Sequence, residues 1–127
     1  MYKGIEHVAI CAEDTEKLAQ WYVDTFGFEV CYKNAKTPPT LFVKQPGGSM
    51  IEIMPAKGPR PQRDDADAGL AHLAIAVGDF DAVIEDLKGK GVRFDSEPKE
   101  ASGGVKVVFF RDIEGNLIQA IYRPNPL

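Results

Sequence analysis

The hydrophobic pattern of the first half of the chain predicts a strand, a helix and further strands. Residues 4–11 form an apolar stretch of strand length, and the next segment changes to helical spacing. Asp14 is the residue type that caps a helix N-terminus, and Gly27 is the type that ends one. The apolar stripe between them consists of Leu18, Trp21, Tyr22 and Phe26. This half therefore predicts an amphipathic helix packed on a sheet.

The second half of the chain repeats this order of patterns. An apolar opening at residues 69–76 precedes a predicted helix at about residues 80–90, whose stripe includes Val83, Ile84 and Leu87. Short β-rich stretches follow each helix, at residues 40–43 and 49–54 in the first half and 105–110 and 116–122 in the second. The sequence thus predicts a strand, a helix and three strands, used twice.

The two histidines of the chain occupy matching positions in this repeat. His7 lies in GIEHVAI and His72 lies in GLAHLAI, 65 residues further on. Glu52 and Gln119 are the mid-strand polar residues of the two closing strands, and they are 67 residues apart. Because both pairs keep nearly the same offset, we interpret the four residues as one site built from both repeats.

The repeat also predicts the domain organisation. Residues 1–54 and 69–127 form the two modules, and residues 55–68 are a polar stretch rich in proline, glycine and charge, typical of a linker. Each module alone has only about 60 residues and one helix to cover a sheet. We therefore expect a single α+β domain of residues 1–127 made of two modules.

Strand periodicity places the four polar residues on strand faces that point away from the bulky aliphatic side chains. Alternate residues of a strand face opposite sides, so Ile51 and Ile53 point away from Glu52, and Ile118 and Ala120 point away from Gln119. A carboxylate in the strand Met-Ile-Glu-Ile-Met is costly to bury without a partner. A divalent metal ion bound by His7, Glu52, His72 and Gln119 explains these positions economically, although a lone strand histidine is usually structural.

Composition narrows the classes of partner. The 127 residues carry a net charge of −4 and no basic run, which disfavours nucleic acid, and no apolar run is long enough for a membrane helix. The N-terminus shows no signal-peptide pattern. The two cysteines, Cys11 and Cys31, form no metal or disulfide motif, and we expect both to be buried. These features predict a cytoplasmic protein with a small-molecule substrate.

The motifs together resemble the vicinal oxygen chelate superfamily, which includes glyoxalase I, bleomycin-resistance proteins, extradiol dioxygenases and methylmalonyl-CoA epimerase. The resemblance is carried by GIEHVAI, LAQWYVDTFGFEV, GLAHLAIAV and VVFFRDIEGNLIQAIY, where Ile113 replaces the usual proline. It implies two βαβββ modules that form a cupped mixed sheet around a divalent ion. It also implies a homodimer, since in many small members modules from two chains complete each site.

The resemblance assigns the metal ligands and exposes one departure. In glyoxalase I-like members the ligands are a histidine or glutamine, a glutamate, a histidine and a glutamate, which correspond here to His7, Glu52, His72 and Gln119. The last glutamate is also the catalytic base, and an amide at Gln119 cannot accept a proton at neutral pH. Glu52 is then the candidate base. Nitrogen and oxygen ligands suit Zn, Ni, Co, Mn or Fe.

Three functions therefore stay open. The complete set of ligand-type side chains favours a metal-dependent lyase or isomerase of the glyoxalase I type, acting on a small α-oxo aldehyde adduct or similar chelating substrate. A non-catalytic ligand- or antibiotic-binding protein of the bleomycin-resistance type is the second reading, and the acidic charge would suit a cationic ligand. An epimerase or dioxygenase of the same superfamily is the third, with Gln119 in place of the carboxylate that either would need.

Overall fold

A helix packed on one face of a four-stranded sheet occurs twice in the computed structural model of the chain, which describes residues 1–127. One copy belongs to the unit formed by residues 1–61 and the other to residues 62–127. The first unit contains β1 (His7–Ala12), α1 (Thr15–Phe26), β2 (Glu29–Lys33), β3 (Leu41–Lys44) and β4 (Met50–Pro55). The second contains β5 (Leu73–Ala76), α2 (Phe80–Gly89), β6 (Lys99–Glu100), β7 (Lys106–Arg111) and β8 (Leu117–Tyr122).

Side-chain caps set the start of both helices. The Asp14 carboxylate accepts the backbone N–H of Lys17 at 3.0 Å, and the Asp79 carboxylate accepts the N–H of Ala82 at 3.0 Å. These contacts satisfy backbone donors that a helix leaves free at its first turn. Helix α1 ends at Gly27, whose φ of 71° is left-handed and therefore suits glycine. The predicted bounds of α1 are confirmed.

The strand order is the same in both units and confirms the two βαβββ modules. It is β1-β4-β3-β2 in the first sheet and β5-β8-β7-β6 in the second. The first strand runs parallel to the last in each unit, while the remaining neighbours are antiparallel. Because the last strand follows a hairpin and returns beside the first, it lies inside the sheet. Glu52 and Gln119 therefore lie on interior strands. Glu52 is on β4 beside β1, which contains His7, and Gln119 is on β8 beside β5, which begins directly after His72.

The helix-facing side of each sheet is the hydrophobic core. In the first unit Ile53 is fully buried together with Val43 of β3, Leu18 and Tyr22. The core of the second unit is formed by Ile84, Leu87, Val108, Phe110 and Ile118. The residues that alternate with them are more exposed, since β4 follows the pattern intermediate, buried, intermediate, buried. The parity predicted for Glu52 and Gln119 is confirmed.

Two details differ from the sequence expectation. Cys11 and Cys31 are exposed rather than buried, because Cys11 alternates with the helix-facing residues of β1 and β2 is exposed along its whole length. The strands β2 and β6 were not located individually by the hydrophobic pattern, since β2 is exposed along its whole length and β6 has only two residues. Neither helix is long and apolar enough to cross a membrane.

A polar cluster holds the β7–β8 turn and the segment before β5. Asp112, which is buried, accepts the backbone N–H groups of Glu114 and Asn116 and the Asn116 side-chain amide. The Arg111 guanidinium donates to Asp65 at 2.6 Å and to Asp95 at 2.8 Å. Hydrogen bonds to Asp65 and then Asp95 raise the pKa of Arg111 above its ordinary value, although partial burial opposes this. The cluster ties residue 65 to the sheet of its own unit.

Removal of a helix-facing side chain tests the parity of β4. We expect Ile53→Ala to lower the free energy of unfolding by about 2–5 kcal/mol, because it leaves a cavity in a filled core. The neighbouring Met54→Ala is the matched control and should cost about 1 kcal/mol or less, since Met54 faces the uncovered side. Urea unfolding measures both. Equal losses for the two variants would contradict the assigned faces.

Candidate functional site

The side of the first sheet opposite α1 carries the predicted site residues of that unit. Neighbouring strands align Ala9 of β1 with Glu52 of β4, and Glu52 with Phe42 of β3. His7 shares a face with Ala9 because the two lie two positions apart along one strand. The small side chain of Ala9 leaves room between His7 and Glu52. The fold therefore brings together the histidine and carboxylate that the sequence predicted.

His7 is held by contacts on three sides. Its Nε2 atom lies 3.9 Å from a carboxylate oxygen of Glu52, and its Nδ1 atom lies 2.6 Å from a carboxylate oxygen of Glu6. The Phe42 ring packs against the imidazole at a centroid distance of 5.3 Å and an interplanar angle of 74°. Edge-to-face packing of this kind is favourable between aromatic rings and restricts rotation. Phe42 thus limits the orientations open to the imidazole.

The second unit repeats the arrangement of histidine, phenylalanine and strand register, with an amide in place of the Glu52 carboxylate. Phe109 of β7 packs against His72 at 5.3 Å and 81°, and its register partner on β8 is Gln119. Gln119 also aligns with Ala74 of β5, which shares a face with His72. The unit therefore places an imidazole, an edge-on phenylalanine and an amide on the sheet face opposite α2.

The two phenylalanines are site residues whose relation to the histidines was not recognised in the sequence. Phe42 and Phe109 are not among the predicted site residues, yet each contacts the histidine of its own unit. The signal was present, because they are 67 residues apart, the same offset as Glu52 and Gln119. Register explains this, since each is the direct cross-strand partner of the polar residue.

Sulfur atoms also line the face of the first sheet. The register of β2 against β3 shifts between Val30 and Tyr32, and the Cys31 thiol there lies 3.8 Å from the Met50 sulfur and 3.6 Å from the Phe42 carbonyl oxygen. Such a bulge re-aims a side chain, which brings the thiol toward β4. The neighbours of Glu52 on this face thus include the Phe42 ring and the Met50 thioether. The Glu52 side chain is 21 % exposed.

The donors of the first unit suit a divalent cation as two of its ligands. Two nitrogen or oxygen ligands at about 2.1 Å from an ion are roughly 3.0–3.4 Å apart, so the 3.9 Å separation closes with a shift of about 0.5–0.9 Å. No group of three or more His, Cys, Asp and Glu side chains is placed to hold a metal ion. In the first unit the predicted ligands His7 and Glu52 lie 3.9 Å apart. In the second unit Phe109 contacts His72 and is the cross-strand partner of Gln119.

Most of the chain matches the sequence model of a known protein family. Residues 4–120 match the model described as Glyoxalase/Bleomycin resistance protein/Dioxygenase superfamily. The chain belongs to that superfamily. A solved structure with this fold, a glyoxalase family protein from Enterococcus faecalis, superposes with a TM-score of 0.79 at 29 % identity, covering 94 % of this chain and 98 % of that one.

The chain is similar both to uncharacterized proteins and to enzymes. The uncharacterized protein YwkD of Bacillus subtilis is 32 % identical over 117 residues, which cover 88 % of this chain and 91 % of YwkD. A lactoylglutathione lyase of Arabidopsis thaliana is 25 % identical, with 94 % of this chain but only 44 % of that enzyme aligned. These relatives share the superfamily of this chain but do not agree on one described reaction.

The paired rings predict that each phenylalanine affects only one histidine. In Phe42→Leu we expect the ring-proton shifts of His7 to change and those of His72 to stay, because the aromatic ring current beside His7 is lost. Phe109→Leu is the matched counterpart and should shift only His72. Proton NMR of the two imidazoles measures this directly. A change at the wrong histidine, or at neither, would contradict the contacts.

Proposed function

We propose that the protein is a divalent-metal-dependent lyase or isomerase of the glyoxalase I type, acting on a small oxygen-chelating substrate such as an α-oxo aldehyde adduct. The observation that carries the proposal is the matched pair of half-sites, each with a histidine and an oxygen donor on the uncovered sheet face. A lactoylglutathione lyase among the relatives supports this class of reaction. A binding protein has no need for ligand-type donors in both repeats.

The proposed ligands are His7, Glu52, His72 and Gln119. The histidines provide imidazole nitrogens, Glu52 provides a carboxylate oxygen and Gln119 provides its amide carbonyl oxygen, a set that suits Zn, Ni, Co, Mn or Fe. When bound, the ion supplies Lewis acidity toward the substrate oxygens and balances the charge of an enediolate-like species. With a single carboxylate among the ligands, the formal charge of the occupied site is about +1.

Glu52 is the proposed base because it is the only carboxylate of the set. Its carboxylate moves the substrate proton, accepting it from one carbon and returning it to the neighbouring carbon in an isomerisation. Gln119 has no basic atom at neutral pH and acts only by holding and orienting.

Exchanging acid and amide at the two equivalent positions tests these roles. We expect Glu52→Gln to reduce turnover of an α-oxo aldehyde thiohemiacetal by at least about 100-fold, which is the usual contribution of a general base. Gln119→Glu is the matched control and should stay active, since it adds a carboxylate and leaves Glu52 in place. Steady-state kinetics with metal-loaded protein measures both. Retained activity in Glu52→Gln would exclude Glu52 as the base.

Metal content tests the ligand set separately from the reaction. Purified wild-type protein should hold one divalent ion per site, and His7→Ala and His72→Ala should each lose it, because either change removes one of four donors. Mass spectrometry of the native protein and elemental analysis give the stoichiometry. A wild-type protein that holds no ion when Zn, Ni, Co, Mn and Fe are supplied would favour a ligand-binding protein instead.

We also propose that the protein is a homodimer in which each site takes residues 1–61 of one chain and 62–127 of the other. After subunit exchange, an equal mixture of His7→Ala and His72→Ala chains should recover about a quarter of the wild-type metal, since half of the dimers are mixed and each holds one intact site. His7→Ala mixed with Glu52→Ala is the control and should recover none. Absence of recovery in the first mixture would indicate sites formed within one chain.

A further inference from the structure

The carboxylate of Glu6 contacts the ring nitrogen of His7 that points away from Glu52. The Nδ1 to Oε2 distance is 2.6 Å, while Nε2 lies on the Glu52 side. Glu6 is the residue immediately before β1, and its side chain is 66 % exposed. A distance of this length is a short hydrogen bond to a charged acceptor, which is stronger than one between neutral groups. Glu6 therefore acts on the imidazole rather than on the sheet.

This contact decides which nitrogen of a neutral His7 carries the proton. An ionised carboxylate only accepts hydrogen bonds, so the Nδ1 atom facing Glu6 must be the donor. The Nε2 atom then has a lone pair, and it faces the Glu52 oxygen 3.9 Å away. Two electron-pair donors thus face a common space with no hydrogen between them. A cation in that space is favourable to both.

The other half of the repeat lacks this carboxylate. The residue that corresponds to Glu6 is Ala71, which comes directly before His72 and has no polar side chain. The phenylalanine contacts of the two histidines are nearly equal, at 5.3 Å each. The two imidazoles therefore differ in their polar neighbours, which are Glu6 and Glu52 in the first unit and Ala71 and Gln119 in the second. The first half-site is thus prepared for a ligand in a way that the second is not.

We propose that Glu6 is a positioning residue, which fixes His7 as the Nδ1–H tautomer and keeps Nε2 free to bind the divalent ion. The inference rests on the proposed metal site. In proteins, partners on the far nitrogen of a metal-binding histidine orient the ring and raise its basicity, and their loss weakens metal affinity by about 10- to 100-fold. Glu6 orients the His7 ring in this way. The equivalent residue before His72 is Ala71, which has no side chain able to do so.

Nitrogen-15 NMR of the metal-free protein tests the tautomer. The chain has only two histidines, so the spectrum contains two imidazoles, and His72→Ala assigns them. At mildly alkaline pH, where imidazoles are neutral, we expect Nδ1–H for His7 in wild type and a shift toward Nε2–H in Glu6→Ala. Glu6→Gln should retain Nδ1–H, because the amide carbonyl still accepts the bond. Glu29→Ala removes another exposed glutamate of the unit and should change nothing.

Metal titration tests the consequence. We expect Glu6→Ala to weaken Zn²⁺ or Co²⁺ binding by about 10- to 100-fold, with most of the affinity restored in Glu6→Gln. Nδ1–H retained in Glu6→Ala, or an affinity equal to that of wild type, would overturn the role of Glu6. Wild-type protein that binds no metal would instead defeat the proposed function, and the tautomer measurement would still decide whether Glu6 fixes His7.

Discussion

The alternation of side chains along a strand is the constraint on which the rest of the structure depends. In β4 it sends Ile51 and Ile53 into the core under α1 and leaves Glu52 on the opposite face. The same rule in β8 buries Ile118 and leaves Gln119 beside the strand that follows His72. A shift of one residue would exchange the two faces and destroy both core and site. Stability and chemistry thus depend on one register.

Duplication followed by divergence explains the chemistry of the two half-sites. Position by position, the repeats keep the histidine, the edge-on phenylalanine and the small alanine that leaves space between them. They differ where charge matters, because Glu6 and Glu52 belong to the first unit, while Ala71 and Gln119 stand in the second. The negative charge of the half-sites is therefore concentrated in the first unit. Under the proposed function, Glu52 is the single base and His7 is the one imidazole with a carboxylate partner.

Much of the fold was predictable because its signals are local. Asp14 caps the start of the first helix and Gly27 caps its end. The period-two pattern around Glu52 fixes the sheet face on which Glu52 lies. Contacts between strands were not predictable, since register depends on pairing across the sheet. The packing of Phe42 on His7 and the bulge that re-aims Cys31 arise only there. Exposure of the cysteines was misjudged for the same reason, because a sequence does not show which sheet face stays uncovered.

The central claim is that the two halves of the repeat contribute to one metal centre. X-ray absorption fine structure of the protein loaded with Zn²⁺ or Co²⁺ tests it most directly, because imidazole rings give a characteristic scattering pattern that counts the histidines on each ion. We expect two imidazoles per ion, with the remaining ligands oxygen. A single imidazole per ion would contradict it, since that result would mean that His7 and His72 do not share a site.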